Sequence, residues 1–368
     1  MIYLNNAGTS WPKPEQVQKA IDGFCFHQPP TWERANENAL DVVTEFLHIP
    51  NKERFLFTNG CTSAIALAMQ DFDWRKGDRL IISHMEHHAL SRWHHKLPLE
   101  CEIESVVIPR TSHGPFDLDV YESELKKGVR LVAITMASNV TGEILPFKQI
   151  LDLAHQYGAL CMLDGAQTTG VIPINIAELE PDICVFAGHK GPMGPQGIGG
   201  LYVSENVPMI CPSAVCEIIP GAMQHMIMPS YCDTGSLNTM AAVGLTEGLK
   251  WIMDKTWDDL LTTRWLLMNE LVSGLSEISG ITQLGHAKIE DKTGAVALDF
   301  TDKNPGIVAN QLEEQFQIQC GSGFQCAPMA HEALGTDREG CLRISVSPFT
   351  TANEIHSLIK AIKVIMRR

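Results

Sequence analysis

The sequence predicts an α/β fold, with a large domain built on a mainly parallel β-sheet and a smaller α+β domain after it. From about residue 54 to residue 203, short apolar runs alternate with helical patterns. Such alternation is typical of strand–helix–strand units with parallel strands. The pattern changes near residue 246, and no internal repeat or low-complexity linker interrupts the chain.

Six apolar runs are the predicted strands of the large domain. They are near-continuously apolar rather than alternating, which indicates a sheet covered on both faces. They are RFLFT (54–58), RLIIS (79–83), RLVAIT (130–135), ALCML (159–163), DICVF (182–186) and GGLYV (199–203). Between the third and fourth runs, PFKQILDLAHQYG predicts a helix that ends at Gly158 and has one apolar face, formed by Ile150, Leu153, Ala154 and Tyr157.

The remaining third of the chain predicts the smaller domain. Residues 239–275 form a long helical pattern that is interrupted around Asp254–Trp257, and strand candidates follow at 294–300 and 341–347. Thr351 and Glu354 form a capping-box pair before an amphipathic C-terminal helix. We therefore divide the chain into residues 1–245 and 246–368, and roughly the first 15 residues are expected to pack with the smaller domain.

Composition excludes several classes of protein. The chain has 368 residues, of which 45% are hydrophobic, and a net charge of −15 at pH 7. This charge opposes binding to nucleic acids and to anionic membranes. The sequence contains no run of about 18 or more apolar residues, so no transmembrane helix is predicted. The N-terminus MIYLNNAGTSWPKP lacks the regions of a signal peptide, so we expect a cytoplasmic protein.

The eleven cysteines are scattered, and we expect free thiols in a reducing compartment. Cys161 and Cys184 lie in apolar runs and are predicted core residues.

Residues just after the strands are the candidates for chemistry, because ligands of α/β sheets bind at the carboxyl ends of the strands. After the first run, Gly60, Cys61, Thr62 and Ser63 open a helix. Backbone N–H groups and hydroxyls at a helix start suit a phosphate, and a plain N-cap is about equally compatible with this segment.

A histidine cluster follows the second run. Five of the fourteen histidines lie within residues 84–95, in HMEHHALSRWHH. A metal site is one interpretation, but the H-x-x-H-H spacing matches no familiar zinc pattern and no cysteine pair accompanies it. We therefore expect no metal, and instead an imidazole that stacks on a flat ring.

The next three strand ends carry an amide, a carboxylate and an amine. Asn139 follows the third run, Asp164 and Gln167 follow the fourth, and Lys190 follows the fifth in AGHK. A buried carboxylate needs a partner, either a structural arginine or a protonated ring nitrogen of a ligand.

Together these groups match the needs of pyridoxal phosphate. Its aldehyde condenses with a lysine, its protonated ring nitrogen pairs with an aspartate, and its phosphate binds at a helix N-terminus. A buried lysine has its charged form disfavoured, which makes the nucleophilic amine available.

The chain resembles the class V aminotransferase family, and within it the cysteine desulfurases and selenocysteine lyases. The resemblance runs from IYLNNAGTSWPKP to CLRISVSPFTTANEI, and its most specific motifs are MEHHA, SNVTGE, DGAQ, GHKGPMGPQGIGGLYV and GFQCAP. It implies the aspartate aminotransferase-like fold of pyridoxal-phosphate-dependent transferases, with a seven-stranded sheet. It also implies a homodimer with active sites near the subunit interface.

The resemblance further implies a role for each candidate residue. Lys190 would anchor the cofactor as a Schiff base, Asp164 would pair with the ring nitrogen and His87 would stack on the ring. Gln167 and Asn139 would lie near the ring hydroxyl or the substrate. The phosphate would be contacted by Cys61, Thr62 and His189, and by Ser236 from the neighbouring subunit. Arg343 would bind the substrate carboxylate, and Cys326 would attack the substrate sulfur and hold it as a persulfide.

The chain departs from the family pattern at two places. Ala187 and Cys61 replace a serine and a threonine near the phosphate. The desulfurases tend to have Arg-x-Gly-His-His-Cys before the nucleophile, whereas this chain has GSGFQC, with Gly321 in the place of the arginine.

The leading hypothesis is removal of sulfur from cysteine, or of selenium from selenocysteine, to give alanine. Alternatives are another reaction on an amino acid (a different C–S lyase, an epimerase or an aminotransferase) and a non-catalytic metal-binding protein. A sulfur-acceptor protein is a possible partner, although no motif names one.

Overall fold

The structure is a computed structural model that describes residues 1–24, 30–207 and 236–367. The strands are β1 Ile2–Leu4, β2 Phe55–Thr58, β3 Arg79–Ser83, β4 Glu104–Ile108, β5 Leu131–Thr135, β6 Leu160–Asp164, β7 Ile183–Ala187, β8 Gly199–Val203, β9 Ile281–Leu284, β10 Ala295–Phe300, β11 Ile318–Gly323 and β12 Cys341–Ser345. The helices are α1 Glu15–Phe24, α2 Pro30–Phe46, α3 Cys61–Gln70, α4 His88–Cys101, α5 Leu118–Leu125, α6 Phe147–Gln156, α7 Ile176–Leu179, α8 Thr239–Met253, α9 Trp257–Ser276, α10 Pro305–Phe316, α11 Pro328–Leu334 and α12 Ala352–Met366.

A seven-stranded sheet forms the centre of the larger part of the molecule. Its strand order is β2-β8-β7-β6-β5-β3-β4. The pairs from β7 through β6, β5 and β3 to β4 are parallel, whereas β8 runs antiparallel to both β2 and β7. The predicted α/β fold with a mainly parallel seven-stranded sheet is therefore confirmed.

Burial explains why these segments form strands. Every residue of β3, β5, β7 and β8 is buried, as expected for strands covered by helices on both faces. The two apolar clusters on the sheet include Ile81 and Val132 in one, and Leu80 and Ala133 in the other. Cys161 and Cys184 are buried in the first cluster, as predicted.

All six predicted runs of the large domain are strands, and the edge strand β4 is the one that the sequence pattern missed. Glu104 is exposed, three residues are half-buried and only Ile108 is buried. Because most of this strand is only partly buried, its sequence ESVVI lacks the continuous apolar character of the other strands.

A second sheet of five strands has the order β1-β11-β12-β10-β9. β1 pairs in parallel with β11, and the other pairs are antiparallel. This sheet joins the N-terminal residues to the C-terminal part of the chain. The described helices α9, α10 and α12 bury their apolar residues against it.

The predicted C-terminal elements are present. The helical pattern 239–275 is two helices, α8 and α9, interrupted at residues 254–256. Thr351 and Glu354 form the reciprocal capping box at the start of α12. The division at residue 246 stays a prediction, and α8 runs across that position.

No helix in the described ranges combines the length and the apolar character needed to cross a membrane.

Candidate active site

A cavity of about 740 Å³ lies at the carboxyl ends of the parallel strands. That volume is in the range of small-molecule sites. Ten sequence-predicted site residues line it: Cys61, Thr62, His87, Asn139, Asp164, Gln167, His189, Lys190, Cys326 and Arg343. Ser236 is exposed and does not line this cavity, so its predicted contact across a subunit interface stays a prediction.

Lys190 follows β7 in a tightly packed turn. A Cβ added to Gly188 would lie 2.6 Å from the Ile198 side chain and 2.9 Å from its carbonyl oxygen. A Cβ on Gly191 would lie 2.2 Å from the carbonyl oxygen of Thr169. The glycines around Lys190 therefore allow close backbone approach.

The N-terminal segment also holds this turn. Ser10 Oγ donates to the Lys190 carbonyl at 2.8 Å, and its backbone N–H donates to the His189 carbonyl at 3.1 Å. Lys13 Nζ donates to the same His189 carbonyl at 2.8 Å. Burial lowers the pKa of Lys13 to about 8. The backbone on both sides of the Lys190 side chain is thus fixed before any ligand binds.

The Lys190 amine faces the cavity. Within the described parts of the chain, its Nζ makes no hydrogen bond or ion pair. Burial lowers the pKa of Lys190, and the Asp164 carboxylate opposes that shift. A lysine in this environment exchanges its proton more readily than a surface lysine, which suits covalent and acid–base chemistry.

Asp164 presents one carboxylate oxygen to the cavity. Cys61 Sγ and the Ala166 backbone N–H both donate to Asp164 Oδ1, at 3.2 and 2.8 Å. Burial raises the pKa of Asp164, while these hydrogen bonds and Lys190 lower it. A cationic ring nitrogen at Oδ2 would compensate for the buried charge.

The Cys61 contact changes one expectation from the sequence. Its thiol is directed to Asp164, so Cys61 offers a phosphate its backbone N–H and not its side chain. Burial raises the pKa of Cys61 well above that of an exposed thiol, which keeps it protonated.

The start of α3 provides an anion cradle. Its N-cap residue is Gly60, which has no side chain to cap the helix. The first N–H groups of the helix therefore face the cavity without a side-chain acceptor. Exposed Thr62 and half-buried Ser63 also line the cavity. His189 Nδ1 is buried without a hydrogen-bond partner among the described residues. A phosphate would satisfy these donors.

His87 caps α4 at the side of the cavity. Its Nδ1 accepts from the Ala89 backbone N–H at 3.1 Å, which leaves Nε2 free. Burial, followed by the charge of Lys190, lowers the pKa of His87 to about 3. A neutral imidazole is suited to stacking on an aromatic ring.

Arg343 reaches the cavity from β12 of the smaller sheet. Its Nη1 donates to the Asn139 carbonyl at 2.6 Å and its Nη2 to Asn5 Oδ1 at 2.8 Å. Its Nε and Asn139 Oδ1 are buried and have no partner among the described residues. The unpartnered Arg343 Nε is suited to a substrate carboxylate, and the unpartnered Asn139 Oδ1 is suited to a substrate amine.

Cys326 lies in the short connection between β11 and α11. It is exposed, whereas the other six described cysteines are buried or half-buried. Gln325 and Cys326 both have left-handed backbone conformations, with φ of 42° and 58°. This conformation is unfavourable for residues other than glycine, and the surrounding contacts must stabilise it.

Gln325 supplies those contacts, and sequence reasoning missed its role. Its amide donates to the Cys341 carbonyl at 3.1 Å, and its Oε1 lies 3.0 Å from His331 Nε2. Its own carbonyl accepts from Asn139 Nδ2 at 2.6 Å. The sequence showed only that family histidines are replaced by Phe324 and Gln325. The network that Gln325 makes depends on distant residues.

The cavity fits pyridoxal phosphate on structural grounds. An uncapped helix N-terminus and an unpartnered His189 nitrogen suit the phosphate. Asp164 suits a protonated ring nitrogen, and the free Lys190 amine suits an aldehyde. The fold and the site together define a class of protein, namely one that binds an aromatic cofactor at the edge of a mainly parallel sheet.

The family profile described as Aminotransferase class-V matches residues 2–358. The chain therefore belongs to the class V aminotransferase family, as its resemblance predicted. This membership implies a pyridoxal-phosphate-dependent enzyme.

Similar proteins carry a more specific name. A probable cysteine desulfurase of Mycolicibacterium paratuberculosis is 29% identical over 99% of this chain and 55% of its own length. A cysteine desulfurase of Synechococcus elongatus is 27% identical over 99% of this chain and 60% of its own length. The chain thus spans less than two thirds of these relatives. The apo structure of a cysteine desulfurase from Thermococcus onnurineus superimposes with a TM-score of 0.90 at 24% identity, covering 100% of this chain and 94% of that one, which confirms the fold.

Proposed function

We propose that this protein is a cysteine desulfurase that uses pyridoxal phosphate. Cysteine and the Cys326 thiol would be converted to alanine and a Cys326 persulfide. The C–S bond of cysteine breaks, an S–S bond forms at Cys326, and the protons of the two reactants are retained in the products. The observation that carries this proposal is that one cavity is lined by a buried lysine amine, a buried aspartate and the exposed thiol Cys326.

The residues of the cavity have separable tasks. Asp164 would hold a proton at the ring nitrogen, His87 would cover the ring, and the start of α3 with His189 would bind the phosphate. Gln167, whose amide donates to the Ala7 carbonyl at 3.1 Å, would lie at the ring edge. When bound, the cofactor supplies an electron sink for bond cleavage at the amino acid.

Arg343 and Asn139 would position the substrate. The planar guanidinium can bind a carboxylate through two parallel hydrogen bonds, and its unpartnered Nε is available for one of them. Asn139 is fixed by Arg343 and by Gln325 at once, so substrate binding and the Cys326 loop share a hydrogen-bond network.

Lys190 would move a proton to the substrate carbon, and Cys326 would accept the sulfur. Lys190 is suited to proton transfer because burial lowers its pKa. Cys326 is suited to the second task because it is exposed at the cavity, where a later acceptor can reach the sulfur.

The assembly and location belong to the same proposal. We infer a homodimer in which Ser236 contacts the partner's phosphate site, a sulfur-acceptor protein that removes the persulfide sulfur, and a cytoplasmic location. The exposure of Ser236 is compatible with an intersubunit contact.

A second candidate is another pyridoxal-phosphate reaction on an amino acid. The observation that favours it is the changed loop before Cys326, where Gly321 stands in place of an arginine and Gln325 in place of a histidine. The candidate reactions are a different C–S lyase, an epimerase and an aminotransferase. Selenocysteine stays an alternative substrate.

A substrate screen separates these functions. Purified protein loaded with the cofactor is incubated with cysteine, selenocysteine and a panel of other amino acids, and both alanine and sulfide or selenide are measured. The proposal predicts equal yields of alanine and reduced sulfur from cysteine in the presence of a reductant. Turnover of another amino acid with no alanine from cysteine contradicts it.

A further inference from the structure

Three side chains with metal-binding atoms meet at the edge of the cavity. One ligand atom from each of His87, His88 and Cys326 lies within 4.8 Å of the other two. The two imidazole rings are 4.5 Å apart between centroids. The His88 backbone N–H donates to the Cys326 carbonyl at 2.7 Å, which ties the two segments together.

We propose that His87, His88 and Cys326 form a binding site for Zn²⁺ with three protein ligands and one open position. Two imidazoles and a thiolate are ligands that zinc prefers, and three protein ligands with a free fourth position are typical of accessible zinc sites. The sequence led us to expect no metal, because the H-x-x-H-H spacing matches no familiar zinc pattern and no cysteine pair accompanies it. The third ligand of the proposed site, Cys326, lies far along the chain. The fold brings Cys326 to the start of α4.

The hydrogen bonding of His87 leaves one of its ring nitrogens available to a metal. His87 Nδ1 is engaged by Ala89, so Nε2 is its available ligand atom. On binding, Zn²⁺ replaces the thiol proton of Cys326, and that proton is released to solvent.

The geometry requires a small adjustment. Ligand atoms around a tetrahedral zinc ion are about 3.3 to 3.6 Å apart, so they must move inward by about 1 Å. Cys326 is exposed and His88 is half-buried, so we expect rotation of these two side chains to provide this movement. The positive charges of Lys190, Arg92 and Arg343 act on His87 and oppose a cation. The affinity is therefore expected to be weaker than that of a structural zinc site.

A zinc ion here has a functional consequence, which rests on the proposed desulfurase function. The Zn²⁺-bound thiolate cannot attack the substrate sulfur, so zinc would reversibly block persulfide formation. The metal site itself does not depend on that function.

A metal titration tests the site without turnover. The cofactor-loaded protein, free of any polyhistidine tag, is titrated with Co²⁺ as a coloured substitute for Zn²⁺. The readout is the ligand-field absorption in the red part of the visible spectrum, followed by competition with Zn²⁺. The titration measures metal binding and not inhibition of turnover, because the cysteine that a turnover assay needs as substrate would itself bind zinc. A failed desulfurase assay would therefore leave this result unaffected.

Matched variants decide the outcome. We expect His88→Gln and Cys326→Ser each to weaken Co²⁺ binding by about tenfold or more. His95→Gln, an exposed histidine on the same helix, should leave binding unchanged. Unchanged binding in both His88→Gln and Cys326→Ser, or an equal loss in His95→Gln, would overturn the proposal.

Discussion

Lys190 shows at the scale of one residue how position determines chemistry. Its pKa is lowered because its amine is buried at a strand end, and Asp164 prevents a larger shift. The same lysine in an exposed turn would be an ordinary surface charge. The sequence predicted this position because Lys190 follows the predicted strand DICVF (182–186) in AGHK.

Substitution of Lys190 provides the first prediction. Lys190→Ala should remove the absorption of the cofactor–lysine linkage and lower alanine formation from cysteine by at least about 10²-fold, the usual effect of losing an acid–base group. Absorption spectra and an alanine assay measure both effects. Lys148→Ala, an exposed lysine on α6, is the control. Full activity of Lys190→Ala would contradict the assignment.

Glu86 is a buried acid next to His87 that the sequence did not single out. It is fully buried, and its carboxylate accepts from the backbone N–H of Ser83 and of Thr135. Burial raises its pKa to about 8, although these hydrogen bonds lower it. Since the folded pKa exceeds that of the unfolded chain, the folded protein binds the additional proton. The contribution of Glu86 to stability is therefore present below the unfolded pKa and is lost as pH rises toward about 8.

Glu86→Gln should reduce this pH dependence. The substitution itself lowers the melting temperature by an amount that does not depend on pH. Beyond that, the melting temperature of the variant should rise relative to that of the wild type as pH increases from about 5 to about 8. Thermal denaturation at several pH values measures it, with Glu100→Gln, an exposed position on α4, as control. A difference that is independent of pH would show that Glu86 is ionised in the folded protein.

The Cys326 loop is the informative case at the scale of elements. Two consecutive left-handed residues between β11 and α11 are held by Gln325, which contacts both His331 and Cys341. The exposed Cys326 thiol is thus presented by a short, hydrogen-bonded turn.

Gln325→Met should remove the side-chain hydrogen bonds while keeping the side-chain volume. Each lost hydrogen bond costs about 1 kcal/mol, so the sulfur-transfer rate should fall by roughly 5- to 30-fold. The KM for cysteine should change little, because in the proposed function Arg343 would still bind the substrate carboxylate. Steady-state kinetics with Ser322→Ala as control measures both constants. A raised KM with an unchanged kcat would assign Gln325 to substrate binding instead.

Elements also show what the sequence could predict. The central strands were predictable because burial on both faces requires continuous apolar runs. β10 and β12 were predictable because they are also almost entirely buried and largely apolar. β11 was not, because IQCGSG contains glycine and serine and is a strand through its pairing with β1 and β12. Likewise, the residues of the cavity were predictable from strand ends. The contacts of Lys13, Gln325 and Glu86 were not, since they depend on tertiary packing.

At the scale of the whole molecule, the site combines two sheets. Arg343 belongs to the five-stranded sheet, and its guanidinium binds the Asn139 carbonyl after β5 of the seven-stranded sheet. Asn5, just after β1, completes the contact. Both ends of the chain therefore contribute to the side of the cavity that contains Arg343.

Arg343→Lys tests this arrangement. A lysine keeps the charge but loses the planar pair of hydrogen bonds, so the KM for cysteine should rise by about 10- to 100-fold. Binding of the cofactor, followed by its absorption, should stay intact because Arg343 does not contribute to the phosphate end. Equal losses of cofactor and of substrate affinity would indicate instead that Arg343 mainly holds the two sheets together.

The most direct test of the central claim is the mass of Cys326 after reaction with cysteine. Cofactor-loaded protein is exposed to cysteine without added reductant, its thiols are alkylated, and the peptide that carries Cys326 is analysed by mass spectrometry. We predict that this peptide gains one sulfur atom in the wild type. In the Cys326→Ser protein, no cysteine residue should gain a sulfur atom, and the rate of alanine formation should fall. An unmodified Cys326 in wild-type protein that forms alanine at full rate would contradict the account.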